Sequence, residues 1–221
     1  FNLSSNPSSS KTIYLDFNGA DLTNTAWSLS SLPGFSLDND FTNFSTAERS
    51  AIVEIWKRVS ADYAPWDVNV TTKEPEASAL SRSSASDTTY GTTALITSNT
   101  PSSFYSGAGG VAYVGVFDYT SDRYKPALTF ADRFSNNSKN IAEATSHEIG
   151  HNLNLRHDSV INGASYYTGT SDIEWAPIMG VGYYKGRTTF GKTGDYINAN
   201  NDENDFDLIA SEGLTWWKPR W

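Results

Sequence analysis

All three histidines of this 221-residue chain fall in one stretch, HEIGHNLNLRH, at positions 147–157. His147 and His151 are four residues apart, so on a helix both imidazoles leave the same face, one turn apart. That spacing lets two ring nitrogens reach one metal ion at ~2.0–2.1 Å. His157 follows later, where a straight helix would carry it away from the same ion. The helix therefore has to stop, and the chain has to bend, between His151 and His157. Asn154 is the residue for that stop, because after glycine it is asparagine that most often takes the left-handed conformation at a helix end. Glu148, next to the first imidazole, can approach the metal's open position without being a ligand and can serve there as general base.

The remaining segments supply a frame for that helix. Residues 12–17 (TIYLDF) alternate and are β-prone, and Asn18-Gly19 closes them with turn chemistry. Ser45 and Glu48 form a capping-box pattern, after which Ile52, Ile55, Trp56, Val59 and Tyr63 share one helical face, and Pro65 ends the helix. Residues 67–72, 92–97, 111–117 and 127–131 read as strands, the third preceded by the glycine-rich stretch 107–110. Ser138 reads as the cap of a helix over 139–153. A last helix is expected over 203–212, with Gly213 as its stop. Residues 1–11, polar and rich in serine, read as extended. The order β-α-β-β-β-β-α, then an irregular stretch and a helix, predicts an α/β (α+β) fold with a mixed sheet flanked by helices.

Composition narrows the function classes. The length suits a single domain over 1–221. No apolar run approaches the ~18 residues of a membrane span, so no membrane insertion is expected. Cysteine is absent, which excludes thiol catalysis, thiolate metal sites and disulfides. The net charge is −9 and no basic face is visible, so no nucleic acid partner is expected. Residue 1 is Phe, which reads as a processed or trimmed chain, with any signal peptide or pro-segment lying outside it. A secreted, monomeric zymogen product is the expectation; a cysteine-free domain of this size is compatible with a bacterial exoprotein and equally with a cytosolic protein, so cysteine usage alone does not decide location.

With these residues in view, the stretch 147–157 resembles the metzincin signature H-E-x-x-H-x-x-G-x-x-H. It matches at His147, Glu148, His151 and His157 and departs at Asn154, where the family usually has Gly. The single methionine, Met179 in APIMG, then corresponds to the family's Met-turn, an adaptable apolar floor under the imidazoles. Asp158 directly after the third His, and GVAYVG at 110–115, resemble the reprolysin-like (adamalysin-like) branch.

The resemblance implies a zincin fold: a five-stranded twisted sheet, four strands parallel and one antiparallel at the edge, with the active-site helix behind it. An upper lobe over 1–154 and a lower lobe over 155–221 would flank a cleft. It implies a zinc metalloendopeptidase acting on a protein or peptide substrate. Gly110, Val111, Ala112 and Tyr113 would pair with the substrate main chain, and Gly180 and Tyr183 would wall the site beside the metal. Asn154 would end the helix between the second and third ligands, and Asp158 would hydrogen-bond backbone to fix the turn after His157. Some metzincins carry a switching Tyr two residues after the Met. Val181 stands there, so Tyr183 and Tyr184 read as packing or wall residues. Calcium is a second candidate ion, at Asp38-Asn39-Asp40 or at Asp202-Glu203-Asn204-Asp205. The aromatic tail TWWKPRW reads as packing. The alternative functions are a non-catalytic zinc module that binds protein and a polysaccharide-binding module built on the Trp-rich surface.

Overall fold

The structure is a computed structural model, and it describes residues 2–104, 107–192 and 194–218. Its strands are β1 (Lys11–Asp16), β2 (Gly19–Leu22), β3 (Leu29–Pro33), β4 (Asn69–Thr71), β5 (Tyr90–Thr97), β6 (Gly110–Val111), β7 (Ala127–Phe130), β8 (Trp175–Pro177) and β9 (Arg187–Thr189). The helices are α1 (Thr46–Asp62), α2 (Ser138–Asn152) and α3 (Asp205–Ser211). Five strands form the main sheet in the order β4-β1-β5-β7-β6. The first four run parallel and β6 runs antiparallel to β7 at the edge. That is the sheet the resemblance implied.

Alternation along the central strands sorts the core into two layers. Ile13, Leu15, Ala94 and Ile96 pack towards α1 and α2, with Ile52, Ile55, Val59, Ile141 and Ile149. Leu95, Leu128 and Phe130 face the other way, onto Leu22 and Leu32 of a β2–β3 hairpin that the sequence reading missed. The helix-side core continues without a break past Asn154 into Ile178, Met179, Phe190, Ile209 and Leu214. Trp66 joins the two regions, with its ring against Phe190, Phe206 and Trp216. Trp216 is therefore packing, as expected for the tail, while residues 219–221 lie outside the described residues. At the far edge, residues 3–5 run along β4: Ser4 bridges Thr71, Ser5 N–H donates to Val70 O, and Thr72 N–H donates to Leu3 O.

Local chemistry explains the helix starts. Ser45 and Glu48 cap α1 reciprocally, as the sequence predicted. Glu48 is fully buried; burial works to raise its pKa, yet the Leu37 and Ser45 N–H groups and the Ser45 and Ser36 hydroxyls hold it at about 2. The cap of α2 is Asn137, one residue before the expected Ser138, its side chain accepting from Asn140 N–H. The last helix is shorter than 203–212 because Asn204 takes extended geometry ahead of it.

The strand expected over 111–117 ends after Val111. The cause is the unsatisfied carbonyls at the end of α2. Gly115 N–H donates to His151 O, and the Val116 and Phe117 N–H groups donate to Asn152 O. Tyr113 O in turn accepts from Asn152 Nδ2. The chain leaves the sheet to close that helix end, so the Tyr113 carbonyl is not free as the sequence reading supposed.

Candidate active site

Helix α2 is buried continuously from Ile141 to Asn152. It lies between the sheet, α1 and the chain after residue 155, so its polar side chains point into protein or into the site. At its C-terminus Leu153 is the cap residue and Asn154 follows with φ 69°. Asn154 N–H donates to His151 O and Leu155 N–H donates to Gly150 O. This pair of bonds is the Schellman motif that reverses a chain at a helix end. The reversal brings His157 back over the helix. Asn154 adds a tie that glycine would lack: its Nδ2 donates to Glu212 Oε1 at 2.9 Å.

The three imidazoles meet. Their ligand nitrogens lie within 4.8 Å of one another. His151 Nδ1 donates to Leu155 O at 2.8 Å, which leaves the Nε2 lone pair facing His157 Nε2 at 3.0 Å. His147 Nδ1 bonds Ile178 O at 2.8 Å, within the turn Pro177–Gly180. Nitrogens aimed at one point fit a tetrahedral ion, whose ligands at ~2.0–2.1 Å stand about 3.4 Å apart. Burial, then the charges of His151 and His157, push the His147 imidazole well below its usual pKa. Burial, offset in part by the Leu155 carbonyl, takes His151 to about 4. Neutral imidazoles are the form a metal binds. The residues present therefore fit zinc.

Met179 is fully buried beneath α2. A β-carbon at Gly150 would stand 2.6 Å from its Sδ, so the glycine inside HEIGH lets the Met-turn sulfur approach. Glu148, the residue after His147, is 7% exposed. Burial raises its carboxyl pKa to about 8; a dication at the imidazoles would act to lower it. Its side chain rests against Gly110 of β6, where a β-carbon would meet Glu148 Cγ at 2.7 Å.

Asp158 is buried, and among the described residues its carboxylate is met by the Tyr196 hydroxyl rather than by the backbone after His157. It is the Asp158 N–H that donates to Met179 O, at 2.9 Å, while Oδ1 accepts from the Tyr196 hydroxyl at 3.4 Å. Burial raises this carboxyl to about 6. Tyr183 is partly buried near Glu148, edge-on to Phe134. Tyr184, expected to pack, is 94% exposed. Among the described residues the three histidines are the one group of three or more His, Asp or Glu side chains that converges. In the two acidic loops proposed for calcium, Asp38 and Asp40 each accept from the N–H two residues on, whereas Asp205 accepts from Gly191 N–H and Glu203 from Arg156 N–H, both distant in the chain.

Two features escaped the sequence reading. Tyr166 stands over the site, its ring 4.6 Å from that of His157 and 6.2 Å from that of His147. It is placed by Tyr167, whose N–H donates to Asp158 O, whose O accepts from Val181 N–H, and whose ring stacks on Tyr196 at 3.9 Å. No local signal marks Tyr166, because these ties are long-range. The second feature is Lys139, which bonds Glu143 and the chain after Met179. The four-residue spacing of that pair is visible in the sequence, but its carbonyl partners are not.

A mixed-sheet zincin fold, a helix carrying His147 and His151, a Schellman reversal to His157 and a methionine turn beneath them together define a metzincin-like zinc peptidase. No curated protein matches the sequence. The family described as Reprolysin_5: Metallo-peptidase family M12 matches residues 37–190, and the chain belongs to that family. The match covers α1, most of the sheet, all three histidines and Met179.

Proposed function

We propose that this zinc peptidase is a secreted endopeptidase that cuts extended stretches of protein, with Glu148 as general base. The observation that carries this reading is the seat of Glu148, next to the metal-binding His147 on α2 and against Gly110 of the edge strand β6. A peptide adding to β6 as a further strand would pass its main chain directly beside that carboxylate. Gly110 and Val111 offer backbone groups, each hydrogen bond contributing ~0.5–1.5 kcal/mol net, without regard to side chain. Ala112 and Tyr113 continue the same rim. Gly180 and Tyr183 stand on the leaving-group side and would select by shape.

His147, His151 and His157 would hold zinc, which supplies Lewis acidity to the scissile carbonyl and makes water easier to deprotonate. Glu148 takes a proton from the attacking water as the new C–O bond forms. It delivers that proton to the amine nitrogen as the C–N bond breaks. Its closeness to Gly110 supports this shuttle, because a carboxylate held against the edge strand cannot swing away from the peptide.

Metal analysis and a casein assay test the reading together. About one zinc per chain is expected. Glu148→Gln should abolish cleavage and keep the metal, whereas His151→Ala should lose both. Substantial turnover by Glu148→Gln, or an active preparation free of transition metal, would overturn it. Recovery of the mature chain from the culture medium of its host checks the secretion part.

A further inference from the structure

Lys139, Glu143, His147 and His151 follow one another at four-residue spacing, so a single stripe of α2 carries an ion pair and two metal ligands. Lys139 Nζ lies 2.5 Å from Glu143 Oε1 and donates to two further acceptors, Gly182 O and Tyr183 O, each at 3.1 Å. One ammonium thus ties the helix to the strip of chain that runs from the Met-turn past the site. Glu143 is 7% exposed, and Thr188 Oγ1 reaches it at 3.4 Å. At Gly182 the space a side chain would need is taken by Thr188. The strip is therefore held at the distance Lys139 dictates.

A stabilising role is a poor explanation for this pair. Glu143 Oε2 is buried with no hydrogen-bond partner among the described residues. Incompletely satisfied buried ion pairs are often matched or exceeded in stability by apolar residues of similar volume. What apolar residues would not reproduce is the grip on two carbonyls.

We propose that Lys139 and Glu143 are specificity-determining residues: by fixing Gly182 and Tyr183 against α2, they set the room for the substrate side chain that follows the cut. This rests on the endopeptidase reading above. Neither residue touches the reacting atoms, so both act through position.

The test compares the zinc-loaded wild type with the double variant Lys139→Met/Glu143→Leu, which keeps the volume apolar, and with Lys139→Arg, which keeps the charge. Two readouts are taken: hydrogen exchange over residues 180–186, and relative kcat/KM on peptides that differ at the residue after the cut. In the double variant, exchange should rise in that segment alone, and the preference between a large and a small residue should shift by about tenfold. Lys139→Arg should restore most of both. Unchanged exchange would overturn the tie. Faster exchange with an unchanged preference would overturn the specificity role. Should the wild type cleave no peptide, the endopeptidase reading fails, and with it the specificity role, while the exchange data still decide the tie.

Discussion

Gly110 and Glu148, one on the edge strand and one on the buried helix, touch so closely that a β-carbon on Gly110 would stand 2.8 Å from Glu148 Oε1. The strand cannot retreat, because that β-carbon would also be 2.6 Å from Leu128 O on the neighbouring strand. Gly110→Ala should therefore displace the carboxylate. A misplacement of ~1 Å at a reacting group costs on the order of 100-fold in rate. We expect kcat to fall by roughly 10- to 100-fold with zinc content unchanged. Steady-state kinetics alongside metal analysis checks this, and an unaltered kcat would mean that Glu148 relaxes freely.

Asn154 combines a left-handed backbone with a side-chain bond to Glu212. Glycine would relieve strain of ~1 kcal/mol but would lose a hydrogen bond to a carboxylate, which is worth about 1.5–3 kcal/mol when well ordered. Asn154→Gly should thus be mildly destabilising. Asn154→Val, β-branched at positive φ, should cost more than ~2 kcal/mol. Urea unfolding ranks the two, and a valine variant as stable as the glycine variant would contradict the geometry.

Asp62, at the end of α1, accepts a hydrogen bond from Ser146 beside the first metal ligand, at 2.6 Å. Burial raises its pKa from an ordinary 3.8 to about 7, the Ser146 hydroxyl offsetting part of the rise. The folded chain then holds this proton more tightly than the unfolded chain. Between those two pKa values the native state carries the extra proton, so this group's contribution falls as pH rises. Asp62→Asn should abolish that slope. Relative to wild type it should gain up to about 4 kcal/mol between pH 4 and pH 8. Denaturation at both pH values, with metal-free protein, measures the difference.

Tyr166 covers His157 with its ring. Tyr166→Phe should leave zinc retention unchanged, since the ring remains. Tyr166→Ala should open His157 to water and speed zinc loss to a chelator by roughly tenfold. Equal release rates for all three proteins would show that the ring does not guard the ligand.

The sequence made legible whatever is decided within a turn or two of chain. The spacing of His147, Glu148 and His151, the stop at Asn154 and the Ser45–Glu48 box are local chemistry, and each stands where it was read. The ion pair Lys139–Glu143 could have been noticed by its spacing, but not its hold on carbonyls 43 and 44 residues away. The shortening of β6 was hidden for a similar reason. Residues 115–117 have strand-like character, yet the unpaired carbonyls of α2 claim their N–H groups. The β2–β3 hairpin lacks clean alternation, its exposed positions being Asp21, Ser30 and Ser31, and it exists because Leu95, Leu128 and Phe130 need cover.

Because residues 3–5 occupy the outer side of β4, the main sheet is closed to further pairing there, and among the described residues its open edge is that of β6. An edge that can accept a strand does not distinguish a substrate from another chain of the same kind. Two copies that met edge to edge would cover Gly110 and Val111 in both, and each would silence the other.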